Sequence, residues 1–364
     1  MNNGIIKKGK INSLQAIRAL AFIEILIAHC EGPASGACGV SIFLILSGFL
    51  MIYSYLDREL ECSLKNCVIF SVKKIKKLYP LHIITMLLPM LLVLRGIILD
   101  FSGKAVFNFI AQIFLNITLL QSWVPVTDFY FSFNGVAWYL STCLFIYAVF
   151  PFILRKFKKT KMKNVAFIGV VTFACQIIVG IILKLLNLYS TSHFITYIFP
   201  IFRLGDFLIG CCLGYIFLNV NFKLNKIQAT VIEIISLVLI VFSDIIYLKN
   251  KGVLGSYYFK FTVLFIPVSV LLVWIFAINK GVISKLLTCK PIVYIGNISP
   301  YAFLIHNIII SIVRVGMYKF ILSESNVWFK PVLIVVSFVL TVLSSAAYMA
   351  IEKKLRPVLT KKFN

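Results

Sequence analysis

The sequence predicts an all-α membrane protein of about ten transmembrane helices, with both termini cytoplasmic and one interfacial or re-entrant helix near 106–122. Three observations lead to this prediction: an apolar composition, a series of long apolar runs, and basic residues concentrated in alternate loops. The chain has 364 residues, of which 61% are hydrophobic and 13% are charged, whereas soluble domains have about 25% charged residues. A soluble fold leaves roughly a quarter of its unfolded surface exposed, so it cannot bury this much apolar surface.

The apolar runs have the length that a spanning helix needs, which is about 20 residues. The candidate runs lie at 13–29, 39–56, 79–99, 106–122, 137–154, 164–186, 194–218, 229–248, 259–278, 293–318 and 331–350. No run is followed by a stretch long enough for a separate soluble domain, so residues 1–364 are expected to form a single membrane domain with no appended soluble domain.

The basic residues decide which runs cross, because cytoplasmic loops are enriched in Lys and Arg. Segments 57–77 and 155–163 are both strongly basic, so an even number of crossings must separate them. Three runs lie between them, and the weakest is 106–122, which is interrupted by Asn108, Gln112 and Asn116. We therefore expect that run to lie in the interface or to re-enter the membrane.

With this assignment the later basic loops also fall in the cytoplasm, as do Lys7 and Lys8 at the N-terminus and Arg356, Lys361 and Lys362 at the C-terminus. Most of the net charge of +24 is then topological, and it does not indicate a nucleic-acid partner. The nine cysteines are scattered without zinc-ligand spacing. Cys30 and Cys38, which flank one short loop, are the pair that could form a disulfide.

Ionisable residues inside the predicted spans are the best functional pointers, because each costs at least a few kcal/mol in a bilayer. Arg18 and His29 are separated by about 1100° of helical rotation, within about 20° of three turns, and by about 16 Å along the axis. One face of one helix therefore carries a cation that can hold an anion and an imidazole that can move a proton. The same spacing fits a snorkelling arginine and a histidine bonded to a neighbouring helix.

Other polar positions have a structural interpretation beside a functional one. His306 alone is explained more simply by a helix–helix hydrogen bond than by chemistry. Arg203 and Asp206, three residues apart, predict an ion pair on one helix. The basic cluster with Lys74 and Lys77 fits anionic lipid headgroups or the phosphates of a nucleotide-like donor.

Several motifs occur in order along nearly the whole chain. Arg18 and His29 lie on the first predicted helix, and the second contains a motif with Ser-Gly-Phe at 47–49. The later motifs are Lys74, Lys77 and Pro80; Trp138, Leu140 and Ser141; Arg203, Asp206 and Phe207; Ser299, Tyr301 and His306; and Ile351, Glu352 and Lys353. Together they resemble the motifs of the acyltransferase-3 family of integral membrane acyltransferases.

This resemblance implies an acetyl-CoA-dependent O-acyltransferase of the cell membrane, which moves an acyl group from cytoplasmic acyl-CoA to a hydroxyl of a surface, exported or lipid-linked glycan. It implies His29 as the catalytic imidazole, Arg18 as its partner in donor binding, and Lys74 and Lys77 as ligands of the CoA phosphates. The secondary site residues that it suggests are His306, Trp138, Ser141, Arg203 and Asp206. Acyl-CoA would be a substrate, with no bound cofactor or metal, and the partners would be the glycan acceptor, membrane lipid and a separate extracellular acyl-transfer protein.

Some positions depart from the family pattern. Lys74 and Lys77 stand where arginine is usual, which gives point charges in place of bidentate forks, and Ser41 and Cys143 replace a frequent Asp and Glu. A proton-coupled transporter or flippase of an envelope glycan is the alternative from another class, although the inverted repeats that it would be expected to show are not visible. A structural partner in an envelope complex is a third interpretation, but it leaves the intramembrane Arg and His unexplained.

Overall fold

The computed structural model describes residues 9–320 and 324–362, without the side chains of Phe320 and of residues 355–362. Lys7 and Lys8 lie outside the described residues, as do the side chains of Arg356, Lys361 and Lys362. The described chain is helical, and its α-helices in chain order are α1 Asn12–His29, α2 Ala37–Tyr55, α3 Leu64–Ile75, α4 Tyr79–Leu99, α5 Gly103–Thr118, α6 Thr127–Tyr130, α7 Trp138–Lys158, α8 Met162–Leu185, α9 Tyr189–His193, α10 Pro200–Asn219, α11 Lys226–Leu248, α12 Ile266–Ile278, α13 Val282–Leu287, α14 Lys290–Phe320 and α15 Phe329–Lys362.

Many of the longer helices present apolar side chains to the outside of the protein. Within the described part of the chain, eight are long and apolar enough to cross a membrane, namely α2, α4, α7, α8, α10, α11, α14 and α15. On α8, for example, Phe167 and Val170 are each 67% exposed. Helices satisfy their own backbone hydrogen bonds, so such apolar outer faces suit lipid. The chain is a multi-pass membrane protein.

Three of the predicted runs differ from the eight. Helix α1 is not among them, because Arg18, Glu24 and His29 interrupt its apolar sequence. The run predicted at 259–278 is helical only in α12, because residues 249–265 form turns and the helix begins beside Pro267, a position where proline is favoured. The run at 106–122 becomes the shorter α5, which is not a candidate span, in agreement with its exclusion from the predicted crossings.

The run predicted at 194–218 is broken before α10. Phe199 has an extended conformation, with ψ of 123°, because the ring of Pro200 disfavours the helical region for the residue that precedes it. A single π-helical turn over Phe194–Ile198 lies just before the break. The break therefore separates this turn from α10.

Close backbone contacts hold the centre of the bundle together. A Cβ on Gly48 of α2 would lie 2.0 Å from the carbonyl oxygen of Phe207 on α10, and one on Gly210 would lie 2.0 Å from that of Ile45. Glycines on both helices therefore let α2 and α10 touch through their backbones. Gly296 of α14 is equally close to α1, since a Cβ there would lie 1.9 Å from the carbonyl oxygen of Gln15.

Helix α14 contains Pro300, which cannot donate to the carbonyl of Gly296 one turn earlier. The hydroxyl of Ser299 donates to that carbonyl instead, at 2.9 Å. The helix can therefore continue past the proline with this buried acceptor satisfied. Tyr301, Phe303 and His306, on the following turns, line or border the cavities described below.

The sequence allows a disulfide between Cys30 and Cys38, and this pairing is wrong. Both thiols are free and buried. Cys30 packs in a cluster with Phe22 and Leu333, whereas Cys38 packs with Ile42 and Leu272. The two side chains thus serve different parts of the core.

Candidate functional site

A cavity of about 260 Å³ reaches into the bundle between α1, α2, α7 and α14 and is open beside α3. We call it the Arg18 cavity; its polar lining residues are Arg18, Ser47, Lys74, Lys77, Tyr139, Cys143, Tyr147, Asn297 and Tyr301. A neighbouring space of about 470 Å³ shares Arg18, Ser47, Lys74 and Tyr147 with it. The two spaces are therefore adjacent, and we call them together the entrance.

Arg18 is half-buried in this entrance. Its guanidinium has a long contact of 3.5 Å from Nη1 to Oε1 of Gln15. Among the described residues no carboxylate forms an ion pair with it. Its positive charge is therefore available to an anion in the cavity.

The two predicted phosphate-binding lysines have different surroundings at the mouth of the cavity. Lys74 donates to the hydroxyl of Tyr55 at 2.8 Å and lies 4.4 Å from the centre of that ring. Lys77 has its Nζ 3.7 Å from Oε2 of Glu352, an oxygen that also accepts from Tyr301 at 2.8 Å. Lys74 therefore has an aromatic partner, while Lys77 has a carboxylate within ion-pair distance.

His29 lines a second cavity, of about 230 Å³, which we call the His29 cavity. Its walls are Ile25, His29, Val40, Phe131, Gly135, Val136, Trp138, Tyr197, Phe303 and Asn307. Phe303 lines both cavities, and its ring centre is 5.1 Å from that of Tyr139 and 6.2 Å from that of Phe43. We call these three rings the aromatic partition. Arg18 and His29, although on one face of α1, therefore line different cavities.

The hydrogen bonds of two histidines fix which ring nitrogen is basic. Nδ1 of His29 lies 2.9 Å from the carbonyl oxygen of Ile25, and Nδ1 of His306 lies 2.8 Å from that of Phe303. A carbonyl only accepts, so each neutral ring carries its proton on Nδ1 and its lone pair on Nε2. The His29 side chain is exposed, so its Nε2 can take a proton from a molecule in the cavity.

His306 lies beside His29, which its position in the sequence alone did not indicate. The ring centres are 4.8 Å apart with the planes at 86°. His306 is fully buried, and its Nε2 has no hydrogen-bond partner within the described residues. Helix–helix hydrogen bonding, the simpler explanation from sequence, is not observed, since Nδ1 bonds within its own helix.

Glu24, on α1, is a residue to which the sequence pattern assigned no role. Its Oε1 accepts from the backbone amides of Ser35 and Gly36 at 3.1 and 2.7 Å and from the Ser35 hydroxyl, and its Oε2 accepts from the amide of Gly39. A carboxylate at a helix N-terminus satisfies amides that have no partner within the helix. Glu24 therefore fixes the loop that follows His29 onto the start of α2.

The other secondary positions are mostly structural. Arg203 and Asp206 form the predicted ion pair, with Nη1 3.1 Å from Oδ2 and both side chains fully buried. Arg203 also donates to Thr262 at 2.7 Å, and Asp206 accepts from Gln176 at 2.9 Å. These contacts join α10 to neighbouring elements, and neither residue lines a cavity described above.

The motif at the start of α7 divides between structure and site. The hydroxyl of Ser141 donates to the carbonyl of Leu119 at 2.6 Å and lies 2.6 Å from the Ser122 hydroxyl. It therefore ties α7 to the turn after α5 and faces neither cavity. Trp138, in contrast, lines the His29 cavity and has its ring centre 5.0 Å from that of Tyr197.

Comparison of the sequence with known proteins gives a second, independent line of evidence. The family model described as an acyltransferase domain, of the acyltransferase-3 type, matches residues 11–349. The protein named acyltransferase MdmB, from Streptomyces mycarofaciens, is 27% identical over 129 residues, which is 35% of this chain. The chain spans 31% of the length of that relative. No solved structure matches.

Proposed function

This chain belongs to the acyltransferase-3 family of membrane acyltransferases, and on this premise we propose that it is an O-acyltransferase of the cell membrane. It takes an acetyl group, or another acyl group, from cytoplasmic acyl-CoA and transfers it to a hydroxyl of a surface or exported glycan. The observation that carries the proposal is the meeting of two cavities at Phe303, one lined by cations and the other by His29. A transfer enzyme needs such a junction, because donor and acceptor must approach from different sides.

The basic residues give the proposed orientation. Lys74 and Lys77 line the Arg18 cavity and belong to the strongly basic segment 57–77, which is expected in the cytoplasm. The Arg18 cavity is then the donor side and the His29 cavity the acceptor side. Counting α1 and α12 with the eight long helices gives ten crossings and both termini in the cytoplasm.

The donor is held by charge and shape. Lys74 and Lys77 bind phosphates of CoA, for which a cation without a carboxylate partner, such as Lys74, is best suited. Arg18, further along the entrance, binds an anionic group of the same donor. The thioester end of the donor reaches the aromatic partition. The neutral side chains Ser47 and Tyr147, whose hydroxyls are 3.0 Å apart, line the path between them.

His29 is the general base of the proposed reaction. Its Nε2 takes the proton of the acceptor hydroxyl while the hydroxyl oxygen bonds to the thioester carbon. The carbon–sulfur bond then breaks, and the leaving CoA thiolate receives the proton from the imidazolium. General base catalysis contributes about 10²- to 10⁴-fold to the rate. His306, whose ring packs edge-on against His29, is a positioning residue.

The acceptor of the acyl group can also be a separate extracellular acyl-transfer protein in place of the glycan.

The experiment compares the acetate that alkali releases from surface and secreted glycans of host cells. Cells lacking the gene are complemented with the wild type, with His29→Gln or with His193→Gln, a matched change of a histidine that lines neither cavity. Acetate is expected with the wild type and His193→Gln, and it is expected to be lost with His29→Gln at equal membrane abundance. Full acetylation with His29→Gln removes the catalytic assignment, and unacetylated glycan that still depends on the protein for export indicates a transporter.

A further inference from the structure

The His29 cavity contains an amide that the mechanism so far does not use. Asn307 follows His306 directly on α14 and is half-buried in the cavity wall. Its backbone carbonyl accepts from Ser311 at 2.9 Å. Its side-chain amide has no hydrogen-bond partner within the described residues.

An unpaired amide is unusual in this wall, because most of the lining is apolar or aromatic: Ile25, Val40, Phe131, Val136 and Phe303. The Asn307 side chain is half-buried, so its amide remains accessible from the cavity. A ligand that fills the cavity and accepts from this amide would form a hydrogen bond in a mostly apolar wall. The position of Asn307 is therefore suited to binding.

The chemistry of acyl transfer indicates what the amide binds. When the acceptor oxygen adds to the thioester carbon, the carbonyl π electrons move onto the carbonyl oxygen and form an oxyanion. His29 Nε2 is occupied by the proton that it removes, and the neighbouring His306 has a lone pair at its Nε2, not a proton. No Lys or Arg lines this cavity within the described residues. The side-chain donors that line the cavity, apart from His29, are therefore neutral: the Asn307 amide, the Trp138 indole N–H and the Tyr197 hydroxyl. Of these three residues, Asn307 adjoins His306 in the chain, and the His306 ring packs against His29.

We propose that Asn307 supplies this donor, with its side-chain N–H bonded to the carbonyl oxygen of the acyl group in the tetrahedral intermediate. The inference rests on the proposed acyltransferase function and adds a residue to that same site. The electron pair returns from this oxygen when the carbon–sulfur bond breaks, and the thiolate leaves with the proton that His29 held. Asn307 changes neither its charge nor its bonding partners in the chain during the cycle.

The test removes the donor while it keeps the size of the side chain. Asn307→Asp replaces the amide by a carboxylate, which only accepts, and Asn307→Leu replaces it by an apolar group of similar volume. Loss of one oxyanion donor lowers kcat by about 10²- to 10³-fold. We expect this fall in both variants, with little change in the KM for acetyl-CoA. Ser311→Ala, one turn further on the same helix and outside both cavities, is the matched control and is expected to keep its activity.

Two readouts distinguish an oxyanion donor from a residue that only binds the glycan. The first is alkali-released acetate from cell glycans, and the second is the formation of acetohydroxamate from acetyl-CoA and hydroxylamine by the purified protein, corrected for the uncatalysed reaction. An oxyanion donor is needed for both nucleophiles, so both activities are expected to fall.

Loss of glycan acetylation alone, with the hydroxylamine reaction intact, overturns the proposal, because Asn307 would then only bind the acceptor. Unchanged activity in both assays overturns it as well. The melting temperature of each variant in detergent identifies an unfolded protein, and Asn307→Ser, which keeps a small donor, is expected to retain part of the activity. If the wild type itself transfers no acetyl group to either acceptor, the proposed function fails, and that result is distinguishable from a defect of the variants.

Discussion

Replacement of Gly48 by alanine tests the packing at the centre of the bundle. The added Cβ would lie 2.0 Å from the carbonyl oxygen of Phe207 and 2.8 Å from the amide nitrogen of Cys211, whereas real Cβ contacts essentially never fall below 3.0 Å. The clash is with backbone atoms, which no change of rotamer can move. Helices α2 and α10 must therefore separate by about 1 Å at this point.

The separation has a calculable cost. Forcing an extra methyl group into a packed core costs about 1–3 kcal/mol. A gap of 0.5–1 Å also forfeits about a quarter to a half of each dispersion contact across the interface. Because buried residues such as Leu44 and Phe207 lie along these helices, we expect Gly48→Ala to lose at least about 3 kcal/mol of stability. With an unfolding entropy of about 2.1 cal/mol/K per residue over 364 residues, such a loss corresponds to a fall in melting temperature of at least about 4 °C.

The assay is thermal unfolding of the purified protein in detergent, with Gly96→Ala as the matched control. Gly96 is in the interior of α4, and a Cβ there has no neighbour within 4 Å. Alanine in an open helical position is favourable by about 0.5–1 kcal/mol, so this variant is expected to melt at or slightly above the wild-type temperature. Equal melting temperatures of Gly48→Ala and Gly96→Ala would refute the close packing of α2 on α10.

Three further predictions concern the site and its surroundings. Phe303→Leu opens the partition between the two cavities, so hydrolysis of acetyl-CoA without an acceptor, measured by release of free thiol, is expected to rise severalfold; an unchanged rate contradicts the barrier role. Lys74→Ala removes a phosphate ligand and is expected to weaken CoA binding about tenfold in calorimetric titration. Lys65 is exposed on α3, and Lys65→Ala is expected to leave CoA binding unchanged. An equal effect of the two variants would indicate that CoA responds to the overall positive charge and not to a site at Lys74. Burial, assisted by the charge of Lys260, lowers the pKa of His193 to about 4. As the pH falls, the unfolded chain therefore binds a proton at this residue before the folded chain does, and stability decreases between about pH 6.5 and about pH 4. His193→Gln should reduce this pH dependence of the melting temperature, and an identical dependence in the variant contradicts the burial of a neutral ring.

The helices of this protein were predictable where apolar sequence is uninterrupted and charges mark the loops. The run at 106–122 was excluded as a span because an even number of crossings must separate two basic segments that lie on the same side of the membrane. The turns at 259–265, within the run predicted at 259–278, were not predictable, because these mostly aromatic and apolar residues have the composition of a membrane helix. Only the contacts of the folded chain show that this segment packs as turns, for example through the buried Phe261 and Phe265.

The sequence pattern predicted individual candidate residues on α1 and at Lys74 and Lys77, but not how they are arranged around the cavities. The period of α1 places Arg18 and His29 on one face, but no periodicity reveals the Phe303 ring that separates them. The approach of His306 to His29 depends on the close contact of α14 with α1 at Gly296. Resemblance to the family indicated His306, whereas Glu24 and Asn307 acquire their roles from long-range packing that the sequence does not display.

The central claim is that an acyl group is transferred from the cytoplasmic to the outer side of the membrane through His29. The most direct test uses membrane vesicles of known orientation from the native host. Radiolabelled acetyl-CoA does not cross the membrane, so it reaches the Arg18 cavity only in inside-out vesicles. We expect alkali-labile label in glycan from inside-out vesicles with the wild type, little label from right-side-out vesicles, and none above background with His29→Gln. Equal labelling in both orientations, or full labelling with His29→Gln, would contradict the account.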